Sequence, residues 1–425
     1  MRISQTRHFR GKFTLPGDKS LSHRLAILGA LAHGESRFTN FSTADDCAAT
    51  LRCLAALGVE ARHQGSTVEV AGRGPESLTA AAEPLDAANS GSTLRMLAGV
   101  VAGRPFRTVI TGDASLRRRP VERVAQPLRM MGARTSSADG RPPLVIDGGP
   151  LKAMSWAMTT PSAQVKSAVL LAALQAEGRT TVVEPAATRD HTERLLPAFG
   201  VPVEIDGAAV SVQGGATLRP LALDVPGDVS SAAFLVVAGL VVPDATVHIE
   251  NVLLNPRRTA FLDVLRRMGA NIATGIRSED PEPVGWIEAR ASRLGSAVVS
   301  AAEVPALIDE VPILAVAAAL GHGELVVRDA AELRVKESDR IASLAEGLRR
   351  LGGRVDEHPD GLTVHGGGTL TGASVRSHGD HRIAMALAIA GLAAKGETEI
   401  EDAGCIAVSF PEFPSLLERG RKAER

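Results

Sequence analysis

Aromatic side chains are scarce in this 425-residue chain, which has no Tyr, two Trp and ten Phe. Proteins that bind single-stranded nucleic acid stack the bases on aromatic rings, and this composition argues against such a surface. The net charge is −1, so no overall field attracts a polyanion, and any anion site must be a local cluster. We therefore expect no nucleic-acid partner.

Cysteine and long apolar runs are also scarce. Cys47, Cys53 and Cys405 form no Cys-x-x-Cys pair, which is typical of reduced thiols in a reducing compartment. No apolar run approaches the roughly 20 residues that span a bilayer, and the start MRISQTRHFRGKF lacks the apolar core of a signal peptide. We expect a cytoplasmic protein with no membrane partner. The His residues show no zinc-ligand spacing, so no metal site is expected.

What the chain has in abundance is Ala, Leu, Val and Gly, arranged as six copies of one unit. Each copy has an Ala- and Leu-rich helix, a Gly and a β-branched strand, and then a second helix and further strands. The copies start near residues 19, 89, 162, 228, 308 and 379, a period of about 70 residues. This pattern predicts an α/β protein (α+β by some schemes) built from β-α-β-α-β-β units. The long period favours two domains of three units, joined by a linker near residue 227, and the polar tail ERGRKAER is expected to fray.

Cations stand at the starts of these helices, where the macrodipole already makes the backbone positive. In LPGDKSLSHR, Lys19 and Arg24 flank Ser20, the predicted N-cap of the first helix. Comparable cations at other helix starts are Arg95, Arg119, Lys166, Arg189, Lys336, Arg340 and Arg382. Because a cation there is unfavourable unless an anion joins it, we predict a pocket of about eight cations for a ligand with phosphate and carboxylate groups. Solvated cations on surface helices are the alternative.

Carboxylates accompany these cations. Asp309 is interpreted as the N-cap of a helix, and Glu337 follows Lys336 at another helix start. Capping and ion pairing are one explanation for both. The other is proton transfer, in which one carboxylate takes a proton from a hydroxyl and the other gives a proton to carbon. Asp45 and Asp46 are interpreted only as helix caps.

Seven motifs in order resemble the 5-enolpyruvylshikimate-3-phosphate synthase family, and the resemblance covers essentially the whole chain. They are LPGDKSLSHR, NSGSTLR, TGDASLRRRP, SAQVKSAVLL, TRDHTE, LRVKESDR and GDHRIAMA, of which the fourth and fifth are similar to the second class of these enzymes. The resemblance implies the inverted α/β barrel, with two domains of three βαβαββ repeats around an interdomain cleft. Residues 18–226 would form one domain, and residues 1–17 with 227–425 would form the other.

The resemblance also implies roles for individual residues. Shikimate 3-phosphate would be held by Lys19, Ser20, Arg24, Ser162, Gln164, Arg189, Asp309 and Lys336. Phosphoenolpyruvate would be held by Lys19, Gly91, Arg119, Gln164, Arg340 and Arg382. Asp309 would accept the proton of the 5-hydroxyl, and Glu337 would exchange a proton with the vinyl carbon. Lys336 and Lys19 would complete the catalytic set.

The chain departs from the family pattern at three points. Ala163 stands where other members have a second Ser, and Val408 stands where some have a Lys that contacts phosphoenolpyruvate. Because the chain has no Tyr, Arg189 would replace an aromatic contact to the shikimate ring.

The implied reaction transfers the enolpyruvyl group of phosphoenolpyruvate to the 5-hydroxyl of shikimate 3-phosphate and releases phosphate. It would need neither cofactor nor metal, and a monomer is expected. The runner-up keeps the fold but uses UDP-N-acetylglucosamine as acceptor. That family has a Cys in the loop corresponding to TGDASLRRRP, which here has none. A repeat protein that binds RNA or another anionic partner is the third hypothesis.

Overall fold

The computed structural model of the protein describes residues 1–422 of the 425. Its α-helices are α1 (Lys19–Leu31), α2 (Asp45–Ala56), α3 (Gly91–Ala102), α4 (Glu122–Met131), α5 (Ala163–Ala173), α6 (His191–Ala198), α7 (Val229–Val241), α8 (Ala260–Arg267), α9 (Val304–Leu307), α10 (Val311–Leu320), α11 (Arg340–Arg350), α12 (His381–Ala393) and α13 (Phe413–Lys422). Short 3₁₀ segments are Pro75–Ser77, Leu116–Arg118, Ala331–Val335 and Ala403–Val408.

The strands are β1 (Arg2–Ser4), β2 (His8–Thr14), β3 (His33–Thr39), β4 (Glu60–Gln64), β5 (Thr67–Arg73), β6 (Leu85–Asp86), β7 (Arg107–Thr111), β8 (Arg134–Ala138), β9 (Arg141–Asp147), β10 (Leu151–Lys152), β11 (Ser155–Ala157), β12 (Ala176–Glu177), β13 (Arg179–Val183), β14 (Val203–Asp206), β15 (Ala209–Gln213), β16 (Ala222–Asp224), β17 (Asp244–Leu253), β18 (Asn271–Ser278), β19 (Val284–Arg290), β20 (Ala297–Val299), β21 (Glu324–Val327), β22 (Arg354–His358), β23 (Gly361–His365), β24 (Ser374–Arg376) and β25 (Glu397–Glu401).

The chain divides into two compact units. The N-terminal unit is Gly17–Val225, and the C-terminal unit combines Met1–Pro16 with the chain from Pro226 onward. No helix within residues 1–422 has the length and apolar character needed to cross a bilayer.

The N-terminal unit contains three copies of one four-stranded sheet. The strand orders are β16-β3-β5-β4, β6-β7-β9-β8 and β11-β13-β15-β14. In each sheet the first two strands are parallel and the last two pairs are antiparallel. The parallel pair of the second sheet is joined by α3, as a parallel connection requires. The first sheet takes its parallel edge strand, β16, from the end of the unit.

The C-terminal unit repeats this arrangement with strands from both ends of the chain. Its four-stranded sheets have the orders β2-β17-β19-β18 and β20-β21-β23-β22, and the third sheet is β24-β25-β1. Strand β2 pairs in parallel with β17, with Phe13 opposite Ile249, and β1 pairs antiparallel with β25. The predicted α/β class and the three repeats in each unit are confirmed, although the sheet of the last repeat has three strands instead of four. Residues 418–422 of the tail expected to fray belong to α13, whereas residues 423–425 lie outside the described residues.

The first helix of each repeat is buried on nearly all sides. In α1 every residue from Leu21 to Leu31 is buried, and in α12 every residue from His381 to Leu392 is buried. Helices α3 and α5 pack against each other and α1 against α3, while α7, α10 and α12 pack against one another. A helix that is apolar all round is stable only in such an interior position. The Ala- and Gly-rich composition follows from this packing, because small side chains let the helix backbones approach closely.

Two predicted helix caps are wrong. The N-cap of α1 is Asp18, whose Oδ1 accepts the Leu21 N–H at 2.8 Å, and Ser20 is the second residue inside the helix. The N-cap position of α10 is Glu310, and Asp309 lies one residue before it. In α1 the carboxylate of Asp18, two residues before Ser20, accepts the first-turn N–H. In α10 the helix begins after Glu310, so Asp309 lies outside it.

The close contact between α3 and α5 gives a test of this packing. A Cβ on Gly99 would lie 2.1 Å from the carbonyl oxygen of Ala168, so Gly99→Ala must push the two backbones apart. We expect the free energy of unfolding to fall by about 1–3 kcal/mol, as measured by urea denaturation followed by circular dichroism. Gly149→Ala is the matched control, because a Cβ there meets nothing within 4 Å. Equal unfolding midpoints for the two variants would contradict the packing described.

Candidate functional site

Arg24 connects three helices of the N-terminal unit near their N-termini. Its Nε donates to Thr192 Oγ1 in α6 at 2.8 Å, and its Nη2 donates to Ser167 Oγ in α5 at 2.8 Å. The hydroxyls of Thr192 and Ser167 lie 2.7 Å apart, and Nη1 donates to the Ser20 carbonyl at 2.9 Å. The guanidinium is therefore fixed in direction where α1, α5 and α6 begin.

Lys19, the first residue of α1, forms an ion pair. Its Nζ lies 2.9 Å from Asp46 Oδ2, and the two side chains are only 18% and 11% exposed. A cation at a helix N-terminus is unfavourable by roughly 0.3–1 kcal/mol unless an anion joins it, and Asp46 supplies that anion. The interpretation of Asp45 and Asp46 as caps is wrong, because Ala44 holds the N-cap position of α2 and no side chain caps it.

Two arginines of the N-terminal unit meet over Gly91, the first residue of α3. A Cβ on Gly91 would lie 2.4 Å from Arg95 Nη1 and 3.5 Å from Arg119 Nη1. Arg95 Nη1 donates to Gln164 Oε1 at 2.7 Å, and Arg119 Nη2 donates to Asn89 Oδ1 at 2.7 Å. Glycine at this helix start therefore leaves room for two guanidinium groups beside free backbone N–H groups, an arrangement that suits an anion.

Arg340, in the C-terminal unit, pairs with three carboxylates. It is 2% exposed, and its nitrogens lie 2.8 Å from Asp380 Oδ2, 2.6 Å from Glu337 Oε2 and 3.2 Å from Asp309 Oδ1. Burial alone would lower the pKa of Arg340, but the carboxylates of Asp380, Glu337 and Asp309 raise it above the ordinary value. Burial alone would raise the pKa of Asp380, but Arg340 holds it below the ordinary value. The guanidinium and Asp380 therefore remain charged at neutral pH.

Asp309 lies between two cations. Its Oδ1 is 3.5 Å from Lys336 Nζ and 3.2 Å from Arg340 Nη1, and its backbone carbonyl accepts Arg382 Nη1 at 2.8 Å. Glu310 Oε1 lies 3.3 Å from the same Arg382 nitrogen and is itself buried. One short segment thus presents a carboxylate to solvent on one side and orients Arg382 on the other.

Comparisons with known proteins identify the family of this chain. The family model described as EPSP synthase (3-phosphoshikimate 1-carboxyvinyltransferase) matches residues 3–417. A 3-phosphoshikimate 1-carboxyvinyltransferase of Desulforudis audaxviator is 50% identical over 421 residues, 98% of each chain. The one from Gloeobacter violaceus is 49% identical over 425 residues, 99% of this chain and 98% of that one. The chain belongs to the EPSP synthase family.

Solved structures of family members and of a more distant protein have the same fold. An EPSP synthase from Acinetobacter baumannii is 42% identical and superposes with a TM-score of 0.87 over 98% of this chain and 97% of its own. The enolpyruvyl transferase NikO from Streptomyces tendae has a TM-score of 0.79 over 99% of this chain and 96% of its own. At 19% identity NikO shows the fold alone.

The other predicted residues of the EPSP synthase site lie at helix starts of the N-terminal unit. Ser162 is the N-cap of α5, and its hydroxyl accepts the Val165 N–H at 3.4 Å. Arg189 lies in the segment between β13 and α6, next to Asp190, the N-cap position of α6. Contacts among described side chains thus bring Lys336, Glu337, Arg340 and Arg382 to Asp309 in one unit. In the other unit, the residues that lie just before a helix or within its first two turns are Lys19, Ser20, Arg24, Gly91, Arg119, Ser162, Gln164 and Arg189.

The prediction of a pocket of about eight cations is wrong for Lys166. Lys166 does not face a ligand, since its side chain is 0% exposed and its Nζ contacts Glu184 and Glu193. Four of the other predicted cations, Lys19, Lys336, Arg340 and Arg382, already have carboxylate partners. The reason is the cost of burial, because a charge taken out of water needs an opposite charge beside it.

The residues that the sequence interpretation missed are mostly carboxylates at helix N-termini. Asp18, Asp228 and Asp380 each follow a Gly and accept a first-turn backbone N–H of α1, α7 and α12, at 2.7–2.9 Å. Two of them also pair with a buried arginine, Asp228 with Arg258 at 3.3 Å and Asp380 with Arg340 at 2.8 Å. The repeated Gly-Asp was a sequence signal for the caps, but no sequence signal pointed to the arginine partners.

Metal ligands were not expected, and residues 1–422 contain no group of three or more His, Cys, Asp or Glu side chains placed to hold a metal ion. Whether the reaction proceeds without a metal or cofactor stays a prediction.

His23, beside Arg24, gives a pH-dependent test of the N-terminal site. It is fully buried, with Nδ1 2.7 Å from Thr50 Oγ1, and burial and the charges of Lys19 and Arg24 hold its pKa well below 6.5. The folded state keeps His23 neutral, whereas the unfolded chain takes up a proton near pH 6.5. The contribution of His23 to stability is therefore present above pH 6.5 and is lost progressively as the pH falls below 6.5 toward the folded pKa.

We expect the unfolding free energy of His23→Asn to depend less on pH than that of the wild type, by up to about 1.4 kcal/mol per pH unit below pH 6.5. Urea denaturation between pH 5 and 8 measures the two slopes. His63→Asn, at an exposed position, is the control and should retain the wild-type slope. Parallel curves for the wild type and His23→Asn would show that His23 is not kept neutral.

Proposed function

We propose that this protein transfers the enolpyruvyl group of phosphoenolpyruvate to the 5-hydroxyl of shikimate 3-phosphate and releases phosphate. The observation that carries the proposal is the cluster around Asp309. Two carboxylates, Asp309 and Glu337, share Arg340, and Lys336 lies 3.5 Å from Asp309. Membership of the EPSP synthase family supports the same reaction.

The carboxylates would move the protons of this reaction. Glu337 would give a proton to the methylene carbon of phosphoenolpyruvate, which makes C2 electrophilic. The 5-hydroxyl would add to C2 while Asp309 takes its proton, and a tetrahedral intermediate would form. A methyl proton would then return to Glu337 as the C2–O bond to phosphate breaks, and the proton taken by Asp309 would pass to the departing phosphate. The vinyl group re-forms and inorganic phosphate leaves.

The cations would bind the anionic groups of the substrates and of the intermediate. Arg119, Arg340 and Arg382 would bind phosphoenolpyruvate, together with Gly91, Gln164 and Lys19. Arg24, Arg189 and Lys19 would bind shikimate 3-phosphate, together with Ser20, Ser162, Gln164, Asp309 and Lys336. Buried partners such as Asp380 keep the guanidinium groups in place before substrate arrives, so little reorganisation is needed during the reaction. At Lys19 an incoming anion would compete with Asp46.

Two further expectations stay predictions. One is that the protein acts as a monomer in the cytoplasm. The other is that Arg189 contacts the shikimate ring in place of an aromatic side chain.

A phosphate-release assay tests the proposed reaction. We expect phosphate release from phosphoenolpyruvate with shikimate 3-phosphate as acceptor, and none with UDP-N-acetylglucosamine. Release only with the UDP-sugar would overturn the proposal in favour of the related transferase. A shift of RNA mobility in a gel, without release from either pair, would favour the anion-binding repeat protein.

Asp309→Asn tests the role of the proposed base. Because Asn retains the shape but cannot take the proton, we expect kcat to fall by about 10²- to 10⁴-fold. Binding of shikimate 3-phosphate, measured by calorimetry, should change much less. Asp263→Asn is the control, because Asp263 is 64% exposed on α8. A kcat near the wild-type value in Asp309→Asn would remove Asp309 as the base.

A further inference from the structure

One buried ammonium group in the N-terminal unit has no role in the proposed reaction. Lys166 Nζ lies 2.8 Å from Glu184 Oε2 and 2.5 Å from Glu193 Oε1. The three side chains are 0%, 5% and 2% exposed, so the cluster lies out of reach of solvent and of any substrate. Its function must therefore be exerted through other residues.

The two glutamates mark the two ends of one loop. Glu184 directly follows β13, and Glu193 lies in the first turn of α6. The residues between them include Arg189, and the Thr188 hydroxyl donates to Glu184 within the same loop. A single ammonium group thus holds both ends of the segment that carries Arg189.

The same cluster lies next to the residues that orient Arg24. Lys166 precedes Ser167 on α5, and Thr192 precedes Glu193 on α6. Ser167 and Thr192 hydrogen-bond to each other and accept the two Arg24 nitrogens. The ion pair of Lys166 with Glu193 therefore fixes the separation of the two hydroxyls that receive the guanidinium.

Stability alone is a poor explanation for this cluster. Replacing a buried ion pair by apolar side chains of similar volume is often neutral or stabilising. Here two carboxylates share one ammonium, and Glu193 Oε2 has no hydrogen-bond partner among the described residues. Burial raises the pKa of Glu193 even though Lys166 opposes the shift. The cluster instead fixes the relative positions of three elements, because Lys166 connects α5, the end of β13 and the start of α6.

We propose that Lys166 is a positioning residue, which holds the loop between Glu184 and Glu193 so that Arg189 and Arg24 are oriented for the same anionic substrate. The inference rests on the proposed function to the extent that this substrate is shikimate 3-phosphate. It predicts a selective effect on that substrate, since Arg24 and Arg189 are both proposed to bind shikimate 3-phosphate and neither is proposed to bind phosphoenolpyruvate.

Three variants separate positioning from folding. Lys166→Met removes the ammonium group and leaves the buried carboxylates of Glu184 and Glu193 without that cation. The triple variant Lys166→Met, Glu184→Gln, Glu193→Gln also removes the carboxylate charges, so its thermal midpoint should lie closer to that of the wild type. Lys152→Met, at an exposed position of the same unit, is the matched control.

The measurements are amide hydrogen exchange of peptides from the loop, calorimetric binding of shikimate 3-phosphate, and steady-state kinetics. In both Lys166 variants we expect faster exchange in the loop and a Kd and KM for shikimate 3-phosphate raised by about 10- to 100-fold, as misplaced binding groups produce. KM for phosphoenolpyruvate and kcat at saturation should change little. The control should match the wild type in every measurement.

The triple variant decides the matter. If it recovers both stability and wild-type affinity for shikimate 3-phosphate, Lys166 has only a structural role and the proposal is overturned. The proposal is also overturned if KM rises equally for both substrates. If the wild type releases no phosphate, the proposed function fails, and hydrogen exchange alone decides the positioning role. Unchanged exchange in the loop would then overturn it.

Discussion

Pairing between cations at helix starts and buried carboxylates is the interaction on which the candidate site depends. Arg340, with three carboxylates within 3.2 Å, is the strongest case. A guanidinium at 2% exposure would be costly to bury alone, and its partners keep it ionised and fixed in direction. The site is therefore arranged before any substrate binds, which is the condition for effective electrostatic stabilisation of a reacting group.

The repeat explains why such sites form in both units. Three apolar helices lie in the interior of each unit, and side-chain contacts bring several of their N-termini together. In the C-terminal unit, Ser230 of α7 donates to Glu310 at 2.6 Å, and Arg382 of α12 contacts the same carboxylate. In the N-terminal unit, Arg24 joins α1 to α5 and α6. Every repeat places a helix start at the same position in the fold. Residues that are 70 or more positions apart in the sequence therefore come into contact.

The pairing of cations with carboxylates also affects how the site can select its substrate. A pocket of unpaired cations would bind any polyanion, with little selectivity. Here Lys19 already contacts Asp46, and Arg382 contacts Glu310, so a ligand must offer better-placed anions than the protein itself supplies. Selectivity then depends on geometry, and the Lys166 cluster is one place where geometry is set from within the core.

The sequence by itself determined the α/β class, the six repeats and the family, because helix periodicity, Gly-terminated helices and seven ordered motifs are local features. It also pointed to candidate site residues, since cations at helix starts break a local rule. Only the tertiary structure decided which charges pair with which. Asp46 was interpreted as a cap and Lys166 as a ligand-facing cation, and both interpretations failed for the same reason. Asp46 pairs with Lys19, 27 positions away. Lys166 pairs with Glu184 and Glu193, 18 and 27 positions away. The burial of a charged side chain and the contact with its partner both arise from packing between helices and strands, so a local sequence pattern cannot predict them.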